Sequence, residues 1–183
     1  SQVRYYAKAD MDSIDMALLN PLLKGVLSET RGVAVADLTF TGERRKADLR
    51  GNIKVRDMST KIDFTQVEYH APEATVEVRN NEFHIKDVDV YDPEGNVGKL
   101  SLDLSLNHLS NISYKVNVRP QKMLVVNTTA QDSDYFYGKV YASGVATISG
   151  DKSGVVMDIV AATDDNTEFY LPLSGKSDVS TAD

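Results

Sequence analysis

Gly98-Lys-Leu-Ser-Leu-Asp-Leu-Ser-Leu-Asn107 (GKLSLDLSLN) sets the reading frame for the whole chain. Leu100, Leu102, Leu104 and Leu106 alternate with Ser101, Asp103, Ser105 and Asn107. Successive side chains of an extended backbone point to opposite faces, so this period of two predicts a strand with one dry face and one wet face. A helix would scatter the same four leucines around its circumference.

The period holds on both sides of this stretch. Ala47, Leu49, Gly51, Ile53 and Val55 alternate with polar or charged residues, and so do Ile112, Tyr114, Val116 and Val118. Shorter pairs follow the same rule: Leu38 and Phe40, Ile62 and Phe64, Val67 and Tyr69, Val76 and Val78, Phe83 and Ile85, Val88 and Val90, Leu124 and Val126. Val155, Met157, Ile159 and Ala161, then Phe169, Leu171 and Leu173, close the series. The phase slips between Ile85 and Val88, which calls for a bulge or a turn. Asp92-Pro93-Glu94-Gly95 has the residue order of a type I turn. Ten or more short strands, turns every eight to twelve residues and almost no helix predict an all-β, mostly antiparallel fold. No strand is read as apolar on both faces.

One segment reads as helical. Asp12 and Ser13 can cap it, Ile14, Leu18 and Leu22 recur every four residues, Pro21 kinks it and Gly25 stops it. The expectation is a single domain over residues 1–183, with a short helix in 12–24, a sheet over 33–175 and a polar tail over 176–183. A compact fold of this length buries roughly 70% of its unfolded surface, and an open one buries less.

The stretch YFYGKVYASGVATISG (135–150) adds a puzzle, because Gly138, Gly144 and Gly150 recur on its apolar side. Strand glycines mark a bend or a close approach to the backbone. Curvature of the sheet is the expected reading, with room for a guest as the other. Tyr135, Tyr137 and Tyr141 fall on the opposite register, as cross-strand packing or a contact patch.

Catalytic chemistry finds little footing. The net charge of -7 disfavours a nucleic-acid partner, because phosphate neutralisation needs basic surface. The absence of cysteine removes disulfides, thiol catalysis and thiolate metal sites. His70, His84 and His108 lie on separate elements and read as solvated strand residues. Asp87, Asp89 and Asp92 fail the calcium-loop spacing at Tyr91 and read as turn chemistry. Asp132 with Asp134, and Asp164 with Asp165, read as acidic hairpin loops. No phosphate loop, nucleophile elbow or dinucleotide fingerprint is present. The chain is expected to be neither an enzyme nor a holder of cofactor or metal. No apolar run reaches membrane-spanning length, and Ser1 to Asp10 reads as a polar strand rather than a leader.

Beyond single motifs, the succession LTFTG (38–42), ERRKADLRGNIKV (43–55), VEYHAPEATVEV (67–78) and FHIKDVDVYDPEGNVGKLSLDLSLNHL (83–109) is a pattern in itself. It continues through YKVNVRPQKMLVVNTTAQDSDYFYGKVYASGVATISGDKSG (114–154) and ends at AATDDNTEFYLPLSG (161–175). Over roughly Asp12 to Gly175 it resembles the C-terminal region of the TamB family, translocation and assembly module subunits of the AsmA-like group, in its Bacteroidetes-type form.

The resemblance implies an elongated, curved sheet folded into a U-shaped hydrophobic groove. It also implies a periplasmic location in a Gram-negative bacterium, within a longer protein anchored in the inner membrane outside this segment. The implied partners are a phospholipid or other acyl lipid in the groove and an Omp85-type outer-membrane barrel protein at its end. The groove lining would be Leu38, Phe40, Leu49, Ile53, Val55, Phe83, Ile85, Leu100, Leu102, Leu104, Leu106, Val116, Val118, Val140, Ile148, Met157 and Ile159. Gly138, Gly144 and Gly150 would supply the curvature. Two readings therefore stand: a groove that conducts lipid, and a structural β-domain with a filled core that docks a partner by a sheet edge or the tyrosine patch.

Overall fold

The computed structural model describes residues 4–43, 46–107 and 111–173. They form one open antiparallel sheet of eleven strands. In chain order these are β1 (Arg4–Asp15), β2 (Leu27–Glu43), β3 (Lys46–Ile62), β4 (Val67–Arg79), β5 (Glu82–Tyr91) and β6 (Val97–Asn107). Then come β7 (Asn111–Pro120), β8 (Met123–Thr128), β9 (Tyr137–Asp151), β10 (Gly154–Thr163) and β11 (Glu168–Tyr170). Each strand pairs with the next, as expected of short hairpin connections.

β7 and β10 depart from this rule, because β9 takes two partners on each side. β7 pairs with the C-terminal half of β9 and β8 with its N-terminal half, on the same side. β10 and β11 divide the other side of β9 in the same way. The eleven strands therefore occupy nine lanes of a single meander, with β1 at one edge and β10–β11 at the other.

Register fixes the faces. One transverse row on the apolar side runs Ala9, Leu38, Gly51, Val78, Phe83, Leu104, Tyr114, Gly150 and Val155, each directly opposite the next. The adjacent row on the other side runs Asp10, Asp37, Asn52, Glu77, His84, Asp103, Lys115, Ser149 and Val156. Along this row the dry faces predicted strand by strand join across all nine lanes. The phase slip between Ile85 and Val88 is a bulge, with Asp87 at φ 50°, and it returns Val88 to the face of Leu100.

The expected helix is absent. β1 pairs with β2 as far as Asp15, and Ser13, at φ 57°, sits in a bulge there instead of capping a helix. What remains is a single 3-10 turn, Met16–Leu19, whose first amide is capped by Asp15, Ala17 N to Oδ1 at 2.9 Å. Backbone pairing with β2 supplies more hydrogen bonds than a short helix interrupted by Pro21 could keep. Leu18 and Leu22, expected to cover one end of the sheet, are exposed. The sheet accordingly begins at Arg4, not near residue 33.

Among the described residues no second layer covers the sheet. The main contacts between elements that are not lane neighbours are the 3-10 turn on β2 and β4 on β8. The chain exposes 13024 Å², well above the ~8,700 Å² of a compact globule of its 20.1 kDa mass. Against an unfolded surface of roughly 29,000 Å², only about 55% is buried.

The sheet comes closest to closing where the β5–β6 hairpin ends. Beyond its tip β4 and β8 meet: Asn127 N donates to Thr65 O at 2.9 Å, and Tyr69 Oη to Leu124 O at 2.8 Å. Val67, Leu124 and Tyr141 pack there as a small core beside Tyr69. Asp92 ties the hairpin tip to this junction. Its Oδ1 accepts from the amides of Glu94 and Asn96, each at 2.9 Å, and its Oδ2 accepts from Leu124 N at 2.8 Å and Asn96 Nδ2 at 2.8 Å. The predicted turn is present, with Gly95 N bonded to Asp92 O at 3.1 Å.

Burial disfavours the Asp92 charge, but these donors outweigh it and hold the carboxyl below its ordinary value of 3.8. A depressed folded pKa contributes stability that is complete above the unfolded pKa and fades as pH falls through the folded one. Asp92→Asn, which replaces one of the two accepting oxygens by an NH2 group facing N–H donors, should cost about 1–3 kcal/mol at pH 7. Its denaturation midpoint should vary less with pH below 4 than the parent's, as chemical melts from pH 7 to 2.5 would record.

Gly138 and Gly144 adopt φ 131° and 148°, and a Cβ at either would meet the carbonyl oxygen of Glu168 or Val160 across the ladder. They are glycine kinks of the kind that curve a sheet. Gly150 differs: the Tyr114 ring occupies the place of its side chain, leaving no guest space. Gly144→Ala should therefore destabilise by more than about 1 kcal/mol in a thermal melt.

Candidate functional site: an uncovered apolar face

Pairing register places all seventeen candidate lining residues on the same side of the sheet. Leu38 and Phe40 face Gly51 and Leu49; Ile53 and Val55 continue that line on β3. Phe83 and Ile85 lie opposite Leu104 and Leu102, and Leu100 and Leu102 lie opposite Val118 and Val116. Leu106 pairs with Ile112, Val116 with Ile148, and Ile148 and Ala146 with Met157 and Ile159. Val140 lies further along the same face of β9, opposite Val126.

Of the seventeen, Val55 alone is buried. The four leucines of β6, at the middle of the sheet, stay half-buried, and Phe40, Met157 and Ile159 are 40%, 60% and 54% exposed. Side chains at the centre of a two-layer fold would be sealed from water. Neighbours on the same face shelter these residues, and nothing lies over them. Among the described residues no second layer seals them from water.

Sequence reading missed two features of this surface. β10 is apolar on both sides, since Val156 and Val160 face outward at 68% and 73% exposure opposite Ser149 and Val145. Alternation of Val155, Met157 and Ile159 hid them, although VVMDIVAA with its single charge was the available signal. The second is a break between β4 and β5. Their ladder is made at Glu77–His84 and at His70–Tyr91 but not between. A cleft of about 690 Å³ opens there, lined by Pro72, Ala74 and Val88 together with Arg56, Glu73, Lys86 and Asp89. Pro72 has no amide to donate, and the Asp87 bulge turns β5 away.

The tyrosine patch does not exist as a unit. Tyr141 is buried, its hydroxyl donating to Glu94 Oε1 at 2.6 Å, while Tyr137 stacks on Tyr170 at 5.0 Å. Tyr135 lies outside the strand and is 82% exposed. The hydrogen bond to Glu94, with some burial, pushes the Tyr141 phenol up to about 12. The surrounding junction recruited Tyr141 because the β5–β6 tip folds against it.

The outer face carries the charges. His84 Nδ1 lies 2.6 Å from Asp103 Oδ1, and Nε2 lies 3.2 Å from Glu82 Oε2. Arg31 bonds Glu68 at 2.6 Å, and Lys99 pairs with Asp89. His70 bonds Ser59 Oγ at 3.1 Å; His108 lies outside the described residues. Asp132 accepts from Thr129 and Asp164 from Ser143, each as a loop acceptor. No cluster of three or more metal-ligating side chains occurs among the described residues, and no helix is long and apolar enough to cross a membrane.

The Asp103 hydrogen bond raises the His84 pKa above 6.5; partial burial and Arg79 oppose it, and Glu82 assists. A raised pKa means the protonated pair stabilises the fold fully below 6.5 and fades as pH rises through the folded value. An NMR titration should place the His84 midpoint above 6.5, and Asp103→Asn should move it down.

Comparison with protein families, curated proteins and solved structures yields no match to this chain.

Proposed function

We propose that this chain is a non-enzymatic module that holds acyl lipid against the apolar face of its sheet and passes it along the lanes. The observation that carries the reading is an apolar face shared by nine lanes, parted only between β4 and β5, which no described element covers. An uncovered surface of this kind on a folded protein calls for an apolar partner.

Energetics favour an acyl chain. At about 0.8 kcal/mol per buried methylene, fifteen methylenes gain roughly 12 kcal/mol before ordering costs. The seventeen lining residues are Leu, Val and Ile with two Phe and one Met, so their side chains offer no hydrogen-bonding group to fix a lipid in one place. Such a wall suits passage more than capture. The resemblance to the TamB family extends this proposal to lipid traffic between the inner and outer membranes, with a barrel partner of the Omp85 type and a periplasmic setting.

A second reading, docking of a partner strand, is favoured by β10. It is an edge strand exposed at all ten residues, apolar on both faces, with Asp158 as its only charge. β1, at the opposite edge, carries Arg4, Lys8, Asp10, Asp12 and Asp15 plus a bulge, the usual protections of an edge.

Protein purified without detergent should carry phospholipid detectable by native mass spectrometry. Leu102→Asp places a carboxylate in the middle of a half-buried face, where water can reach it. It should keep the circular dichroism spectrum of the parent and lose most of the bound lipid. Unfolding of this variant, or equal lipid content in both proteins, would sink the proposal.

A further inference from the structure

At one end of the sheet three separate segments bring aromatic side chains together. Phe64 lies in the β3–β4 turn, Phe136 precedes β9 and Phe169 lies on β11. Phe64 meets Phe136 edge-on at 5.3 Å, and Phe136 stacks on Phe169 at 6.1 Å. Phe169 is paired with Gly138, which puts this trio at the end of the apolar face. On the reverse side of the same strands Tyr137 stacks on Tyr170. β11 runs antiparallel to the start of β9, so Leu171 and Leu173 extend past the end of the sheet. Phe64, Tyr135, Leu171 and Leu173 are 71%, 82%, 65% and 97% exposed.

We infer that this aromatic end of the sheet inserts into the interfacial zone of a lipid bilayer. The inference builds on the lipid-carrying reading, adding where lipid enters or leaves the face. Three observations select a bilayer as the occupant. The exposed groups are Phe, Tyr and Leu, the amphipathic aromatics and aliphatics that settle at headgroup depth. They occupy both sides of the sheet at its tip, as immersion of an end requires; docking of one face would need apolar residues on one side alone. The Phe trio also continues the apolar face, so a chain leaving the bilayer would meet no polar barrier there.

Charge narrows the lipid class. Asp132, Asp134 and Asp165 lie in the loops beside the aromatics, and the chain as a whole carries -7. A net-neutral, zwitterionic surface suits such an end, and an anionic one repels it.

The test uses phosphatidylcholine vesicles and Tyr135→Trp in the full chain, which has no other tryptophan. Vesicles should shift the emission to the blue, headgroup-proximal brominated lipid should quench it, and the effect should persist at high salt. Vesicles rich in phosphatidylglycerol should bind less. The Tyr135→Asp/Leu173→Asp pair, both exposed, should weaken co-flotation at least tenfold and leave lipid bound to the purified protein unchanged. Leu102→Asp should do the reverse, losing bound lipid while still floating. Absence of a blue shift, or co-flotation unaffected by the paired aspartates, would overturn the inference even if the face carries lipid. Loss of flotation in Leu102→Asp would also overturn it, because the face and not the end would then be the membrane contact. Self-association through the aromatic end without vesicle binding would count against it in the same way.

Discussion

Register is the constraint from which the rest follows. In an antiparallel ladder, residues directly opposite one another share a face, and a one-residue slip sends a whole strand's side chains to the wrong side. Eight successive lane boundaries here hold apolar residues opposite apolar residues. Some departures from register preserve the faces. The bulges of β2 on β3 come as a compensating pair around Arg31, and the bulge at Asp87 restores Val88 to its face. A continuous dry surface exists only because these slips cancel.

Such a sheet lacks the usual source of stability, a second layer. Its buried apolar residues are few, and several, such as Ala34 and Ala36, are small. Ladder hydrogen bonds and same-face neighbours do most of the work, supplemented by side chains that bridge lanes. Asn81, at the β4–β5 turn, shows how. Its Oδ1 accepts from Leu49 N at 2.8 Å, its Nδ2 donates to Ala47 O at 2.5 Å, and its carbonyl accepts from Leu106 N at 3.1 Å. It joins β3 to β6 at one end of the sheet as Asp92 joins β6 to β8 at the other. Between these ends the lane-bridging side chains, such as His84 to Asp103 and Lys99 to Asp89, lie on the outer face.

Misreadings of the sequence trace to competition between local and long-range pairing. Asp12, Ser13, Ile14 and Leu18 carry a sound local helix signal, yet β2 lies alongside and offers partners as far as Asp15. Tyr141 follows the outward parity of Tyr137, but the β5–β6 tip arrives from 47 residues earlier in the chain to bury it. The glycines of β9 split into two kinds, because Gly138 and Gly144 bend the backbone whereas Gly150 makes room for Tyr114. No local rule distinguishes them.

By itself, the sequence determined the all-β class, the run of strands from Leu38 onward, the turn at Asp92 and the alternation of faces within most strands. Each of these depends on side-chain alternation and turn chemistry, which are properties of neighbouring residues. Tertiary structure alone decided that the face is single and uncovered, that β10 is a bare edge, that β4 and β5 part in the middle, and that Phe64, Phe136 and Phe169 meet. Those outcomes depend on which strands become neighbours and on what fails to pack against them. Alternation names the side on which a residue lies, and only the assembled sheet shows whether anything lies over it.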